Sequence, residues 1–345
     1  MIRTTSETML LFSAAVVLGT VLVACAPVIA PIGIVQTAPR ITNTHFVTSD
    51  GYELPVRAWL TAERPEAVVL AVHGFNDYSK AFDTVPNSPG AGPYLASNNV
   101  AVYSYDQRGF GEAPNFGFWP GVETMARDFV DFSNALKEMY PNVPLIALGE
   151  SMGGAVVTVA LAADGSVAVE AGILVAPAVW GRSTMPVGYR VALWLGAHTL
   201  PWARPTGRGF VKQASDNSDM LRDNSRDPLF IKETRIDAVW GLANLMDRAL
   251  ISASKIEIPI LLLYGENDEI IPTKSTLEVI SSFLSSNNRF TLAVYPNGWH
   301  MLLRDRNSSV VLGDVLSFIK HPESRLPSNA DMNALTRLQK TTNSP

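Results

Sequence analysis

The stretch Leu145-Ile146-Ala147-Leu148-Gly149-Glu150-Ser151-Met152-Gly153-Gly154, continued by the apolar run Ala155 to Ala163, decides how this chain folds. Leu145 to Leu148 is short, apolar and free of turn residues, as a buried strand requires, and Ala155 to Ala163 suits a helix packed against it. Between them, Gly149-x-Ser151-x-Gly153 is the pattern of a nucleophile elbow, in which a serine on a tight strand-to-helix turn projects its hydroxyl into a cleft. Glycines at 149 and 153 let neighbouring backbone pass close, and the helix N-terminus stabilises negative charge nearby. In that geometry the backbone N–H of Met152 points at a developing oxyanion.

The same alternation extends in both directions. Phe46 to Ser49 and Tyr52 to Leu60 flank Asp50-Gly51, a hairpin signal, with Pro55 predicting that the second strand lies at an edge. Further β-rich apolar runs are Ala67 to Val72, Val100 to Tyr105, Pro144 to Leu148, Gly172 to Val175, Ile260 to Tyr264 and Phe290 to Tyr295. Between several of them lie segments of helical period, the clearest being Val122, Met125, Phe129, Phe132, Leu136 and Met139. This predicts an α/β fold with a mostly parallel sheet covered on both faces and chemistry at the carboxyl ends of its strands.

Composition narrows the functional classes. The chain has 345 residues, 27 Lys plus Arg against 32 Asp plus Glu, and 47% hydrophobic residues, so a sizeable buried core is expected and a mostly disordered chain is excluded. Its acidic balance, with no two Lys/Arg residues adjacent, argues against nucleic acid as a partner. The single cysteine, Cys25, can form neither an intrachain disulfide nor a cysteine zinc site.

A nucleophilic serine needs a base, and the five histidines can be weighed in turn. His45 precedes the core, His198 lies in the amphipathic stretch Tyr189 to Leu200, and His321 stands before Pro322 where a helix would end. His73 closes the run Ala67 to Val72 and suits a structural role in the loop that follows. His300, in Asn297-Gly298-Trp299-His300 after the last predicted strand, has the loop position and chain order of a base. Glu266, Asp268 and Glu269 all follow Ile260 to Tyr264, so position alone does not choose the carboxylate that would orient the imidazole.

Ser151 in its elbow, His73-Gly74-Phe75, Asp106-Gln107-Arg108-Gly109-Phe110-Gly111, Gly265 to Asp268 and Gly298-Trp299-His300 together resemble α/β-hydrolases of the monoacylglycerol lipase and lysophospholipase (serine aminopeptidase-like) group. The likeness covers about residues 45 to 320. It implies an α/β-hydrolase domain over residues 41–321 with an eight-stranded, mostly parallel sheet. It further implies Ser151 as nucleophile, His300 as base, Asp268 as acid, and the N–H groups of Phe75 and Met152 as oxyanion donors. A lipid or small carboxylic ester would be cleaved through an acyl-enzyme, and no metal or organic cofactor is implied. The resemblance places Phe75 where the family more often has a small residue, and leaves Arg108 as an anchor of its own loop.

Three further segments complete the reading. About 75 residues between Trp180 and Lys255, with cap bounds near 181–255, carry no strand signal, and the resemblance implies a helical cap there, most of whose apolar residues are expected to pack against the core. At the N-terminus, a short polar start and the uncharged run Met9 to Ala26 look like an export signal ending in Leu22-Val23-Ala24-Cys25, which resembles a bacterial lipobox. On that reading residues 1–24 are a lipoprotein signal peptide and a lipidated Cys25 joins the bacterial membrane. Residues 25–40 are then a flexible tether in the cell envelope, with the domain expected to face the periplasm and an uncleaved anchor or a plain secretory signal as alternatives. Residues 322–345 read as a polar, loose tail with a short helix near Asp331 to Lys340. The functional alternatives are a peptidase or thioesterase with the same triad, and a non-catalytic envelope lipoprotein that binds a partner.

Overall fold

The computed structural model describes residues 26–30, 32–163, 167–205 and 212–342. The signal segment 1–24 and Cys25 lie outside the described residues. In chain order the strands are β1 (Arg40–Ile41), β2 (His45–Val47), β3 (Glu53–Trp59), β4 (Ala67–Val72), β5 (Val100–Tyr105), β6 (Leu145–Glu150), β7 (Ala171–Val175), β8 (Ile260–Gly265) and β9 (Phe290–Tyr295). The helices are α1 (Ala91–Ser97), α2 (Val122–Met139), α3 (Met152–Leu161), α4 (Val187–Thr199), α5 (Ser218–Arg226), α6 (Ile236–Ser252), α7 (Thr273–Ser286), α8 (Ser308–Lys320) and α9 (Ala334–Thr342).

The strands form one sheet in the order β1-β2-β3-β5-β4-β6-β7-β8-β9. Pairing is antiparallel from β1 through β3 to β5 and parallel across the rest. The mostly parallel sheet is as expected, but it holds nine strands among the described residues rather than eight. The added member is the two-residue β1, too short to leave a periodic signal. Pro55 does not mark an edge either: β3 pairs through residues 53–55 with β2 and through residues 56–59 with β5, so the proline sits where the strand changes partner.

Alternation along the strands sorts the core into two layers. In β4, Val68, Leu70 and Val72 face one layer with Met125, Phe129, Phe132 and Leu136 of α2 and the body of α3. Ala67, Val69 and Ala71 face the other with Leu95 of α1 and Leu312, Val315 and Phe318 of α8. Because β4, β6 and β8 are buried at every position, β4, β8 and the Leu145–Leu148 part of β6 read as continuous apolar runs.

Both ends of the domain are more tightly held than expected. The segment expected to hang as a flexible tether is tied down at three of its described residues: the N–H of Ala30 donates to the Trp119 carbonyl (2.8 Å), that of Gly33 to Asp50 Oδ2 (2.9 Å) and that of Gln36 to the Ser49 carbonyl (2.8 Å). The segment after Pro322 is not loose, since Leu326, Ala330, Ala334 and Leu338, four residues apart, are buried. Their spacing was present in the sequence but diluted by polar neighbours.

Arg108 anchors more than its own loop. Its guanidinium makes paired hydrogen bonds to Asp128 of α2 (2.7 and 2.8 Å) and to Asp50 of the β2–β3 turn (2.8 and 2.6 Å), and lies 4.3 Å above the Tyr52 ring. Burial opposes charge on Asp50, but bonds from Arg108, Thr48 and the Gly33 N–H outweigh it and hold its carboxyl well below the usual range. Removing the cation leaves two buried carboxylates facing each other. Arg108→Gln should therefore lower unfolding stability by about 3–5 kcal/mol, measured by urea denaturation, while a change within about 0.5 kcal/mol would show that the network is not structural.

Candidate active site

The turn from β6 into α3 gives Ser151 a φ of 54° and ψ of −116°. A non-glycine residue there costs on the order of 1–3 kcal/mol, and neighbours must hold it. Its N–H donates to the Val175 carbonyl (2.9 Å), and its carbonyl accepts from Ala178 (2.8 Å) and Ala155 (3.2 Å). The turn closes only around glycines: a β-carbon on Gly149 would lie 2.5 Å from the Gly153 carbonyl oxygen, and one on Gly153 would lie 2.0 Å from that of Val72.

Ser151, His300 and Asp268 come together at the carboxyl ends of β6, β8 and β9. His300 Nε2 lies 2.9 Å from Ser151 Oγ, and its Nδ1 lies 2.8 Å from Asp268 Oδ2. The other oxygen of Asp268 accepts the N–H groups of Ile270 (2.7 Å) and Ile271 (3.0 Å), which orients the carboxylate. The three carboxylates after β8 are thereby sorted. Glu266 faces Arg337 of α9 at 3.6 Å, and Glu269 accepts the N–H of Gln213 in the cap segment (2.8 Å).

Burial works against a charged imidazolium at His300, but the Asp268 carboxylate, its hydrogen bond and Glu150 outweigh that and hold the group above its ordinary value. An imidazole so placed can take the hydroxyl proton and keep it near a carboxylate. His73 is its opposite: burial holds it below its ordinary value, while Nδ1 lies 2.8 Å from the Gly74 carbonyl and Nε2 accepts the Gln107 N–H (3.0 Å). Its ring braces the loop after β4. His45, His198 and His321 all lie elsewhere, on β2, on α4 and after α8.

The loop after β4 passes directly beside the serine. A β-carbon on Gly74 would lie 3.3 Å from Ser151 Cβ and 3.9 Å from its Oγ, which sets Phe75 next along the chain at the same place. Met152 is the first residue of α3, so its N–H has no intrahelical acceptor. The Phe75 ring meets Phe110 and Trp119 edge-on, with centroids 5.7 and 6.3 Å apart.

Above Ser151 is a cavity of about 560 Å3. Its apolar wall comes from Phe75, Trp180, Met185, Tyr189 and Leu193 on one side and Val239, Leu242 and Met246 of α6 on the other. The expected packing of the cap holds for α6, which buries Leu245, Met246 and Ala249, but not for α4, where only Ala197 is fully buried. Val191, Trp194 and Leu195 of α4 remain about half exposed. α4 rests on α6 rather than on the sheet, so its outer apolar positions have nothing beneath them.

The charged floor of this cavity has no signature in the sequence. Asp77, Glu150 and Arg304 all line it, and the Arg304 guanidinium joins the other two. Each is an ordinary charged residue in its local context, and only Glu150, inside the elbow motif, stood close to a signal. Among the described residues there is no group of three or more His, Cys, Asp or Glu side chains placed to hold a metal ion.

Comparison with known proteins agrees with this architecture. The description "Serine aminopeptidase, S33" matches residues 63–307. Monoglyceride lipase of Mus musculus is 25% identical over 294 residues, covering 83% of this chain and 93% of its own length. Monoacylglycerol lipase of Mycolicibacterium smegmatis is 26% identical over 286 residues, with 79% and 95% covered. Among solved structures, a monoacylglycerol lipase of Paleococcus ferrophilus superposes with a TM-score of 0.65 at 19% identity, covering 79% of this chain and all of that one. A thermostable carboxyl esterase of Bacillus coagulans gives 0.66 at 20% identity, with 83% and 99% covered. The chain belongs to the serine aminopeptidase S33 family of α/β-hydrolases and is similar to its monoacylglycerol lipases.

Proposed function

We propose that the protein is a serine hydrolase of lipid-like carboxylic esters, monoacylglycerols or lysophospholipids, and that Ser151, His300 and Asp268 are its catalytic triad. The observation that carries this reading is the apolar cavity between the cap and the sheet, with Ser151 and His300 in its wall. An acyl chain gains by leaving water for such a surface, at roughly 25 cal/mol per Å2 buried. Relatives named as monoglyceride and monoacylglycerol lipases support the same substrate class.

In the proposed reaction His300 takes the Ser151 proton as Oγ attacks the ester carbonyl, and the N–H groups of Phe75 and Met152 hold the oxyanion. Collapse of the tetrahedral species releases the alcohol, which takes the proton from His300. Water, activated by the same imidazole, then cleaves the acyl-enzyme and frees the acid. Asp268 keeps the imidazole in its working tautomer and favours the transient imidazolium.

The proposed setting is a bacterial cell envelope, with lipidated Cys25 holding the domain at the membrane. Support comes from the path of the N-terminal segment, because the N–H of Val28 lies 3.4 Å from Asp237 Oδ2 at the start of α6. That brings the chain to the cap side of the domain, where α4 carries its half-exposed apolar residues. No helix among the described residues is long and apolar enough to cross a membrane.

A fluorophosphonate probe should label the purified protein but not Ser151→Ala, with turnover of glycerol or lysophospholipid monoesters exceeding that of an aminoacyl amide; absence of labelling on folded protein would overturn the hydrolase reading. Asp268→Asn should reduce kcat about ten-thousandfold, and Glu266→Gln should leave it within a few-fold. The reverse ranking would move the acid to Glu266. Metabolic labelling with a radioactive fatty acid should be lost in Cys25→Ala, and retained label would remove the lipid anchor from the proposal.

A further inference from the structure

Three loops must stay in register for the proposed reaction: the one carrying Phe75, the elbow carrying Ser151 and the one carrying His300. Arg304 touches all three. It follows His300 by one turn, with its own N–H donating to the Met301 carbonyl (2.8 Å). Its Nη1 donates to Asp77 Oδ2 (2.7 Å), two residues past Phe75, and its Nη2 donates to Glu150 Oε2 (2.8 Å), immediately before Ser151. Asp77 in turn accepts the Tyr78 N–H (2.9 Å), tying its carboxylate to the turn that follows Gly74. The Arg304 carbonyl accepts from Asn217 at the start of α5 (2.8 Å), so the cap is joined to the same point.

The bridge is nearly dry, with Arg304, Asp77 and Glu150 exposed by only 3%, 4% and 1%. Arg304 Nε and Glu150 Oε1 have no hydrogen-bond partner among the described residues. A cluster meant only to glue the fold would gain by satisfying those atoms or by apolar replacement. Retaining an incompletely satisfied ion bridge beneath the nucleophile fits a demand for geometry at that point.

We propose that Arg304 is a positioning residue for hydrolysis: by bridging Asp77 and Glu150 it holds the oxyanion loop and the elbow in register with the His300 loop. The inference rests on the triad reading above. A guanidinium can satisfy two carboxylates at once through separate nitrogens in a fixed plane, which a lysine ammonium cannot match. Misplacement of a catalytic group by about 1 Å can cost roughly a hundredfold in rate.

The groups facing His300 are Asp268 from the loop after β8, Glu150 from β6 and Arg304 from its own loop, with Asp77 beyond Arg304 and Lys212 of the cap across the cavity. Glu150 and Asp268 favour the imidazolium, and Arg304 disfavours it. Activity requires neutral His300, so it falls as pH drops through the raised imidazole value. Removing the Glu150 charge lowers that value, so the acid limb moves to lower pH.

The test uses the full chain and a monoacylglycerol ester, with wild-type turnover and fluorophosphonate labelling measured first. If wild type neither turns over nor labels, the triad reading fails before Arg304 is questioned. In active protein, Arg304→Ala should lower kcat about a hundredfold with KM changed less than threefold, and millimolar guanidinium should restore part of the loss. Glu150→Gln, which keeps an oxygen acceptor for Arg304, should shift the acid limb of kcat/KM downward in pH. If Arg304→Ala does not fold by circular dichroism, Arg304→Lys serves instead, and a folded lysine variant at least tenfold slower supports the proposal. An alanine or lysine variant within threefold of wild-type kcat, a loss confined to KM, or an unmoved acid limb in Glu150→Gln would overturn it.

Discussion

A serine held at φ 54° on a buried strand end is the constraint from which the rest of this molecule follows. The conformation is unfavourable alone, so it persists only where backbone hydrogen bonds from β7 and the next loop pin it from several sides. Those bonds require β6 to lie in the middle of a parallel sheet, with β4 and β7 as its neighbours. The close approach of Gly153 to the Val72 carbonyl then sets α3 against β4 and brings the loop after β4 beside Ser151. Sheet order, glycine placement and the path of the loop after β4 are consequences of the same turn.

Charge buried near the sheet is handled by two arginines with contrasting duties. Arg108 makes four short bonds to two carboxylates and joins the hairpin, the loop after β5, α2 and the N-terminal segment. It stabilises a periphery that contains no reacting group. Arg304 is less completely bonded and stands under the proposed site, where its partners are next to Ser151 and two residues from Phe75. Pairing is needed in both places because an isolated buried charge is costly. What differs is what the paired elements carry.

The cap shows how one insertion can present two apolar surfaces. α6 packs on α3, with lighter contacts to α2 and α7, while lending Val239, Leu242 and Met246 to the cavity, whereas α4 sits on α6 and leaves Val191, Trp194 and Leu195 half exposed. Helical spacing in the sequence identified the helices but not which apolar face was covered, because coverage depends on what lies across the gap. The same limit applied to the N-terminal segment and to the residues after Pro322. Prolines in the first and polar composition in the second suggested loose chain, yet a few backbone bonds and four buried side chains hold them down.

Local pattern was enough to establish the alternation of strands and helices, the elbow at Ser151 and the candidacy of His300, because each rests on residues within one turn or one strand of each other. Choosing Asp268 over Glu266 and Glu269 from position was impossible, since all three share one loop and differ only in what they face: His300, Arg337 and the cap. The Asp77–Arg304–Glu150 bridge was wholly a matter of tertiary structure, with partners 227 and 154 residues apart. Side-chain chemistry is written locally, but burial and pairing of charge are decided by which distant segments the sheet brings together.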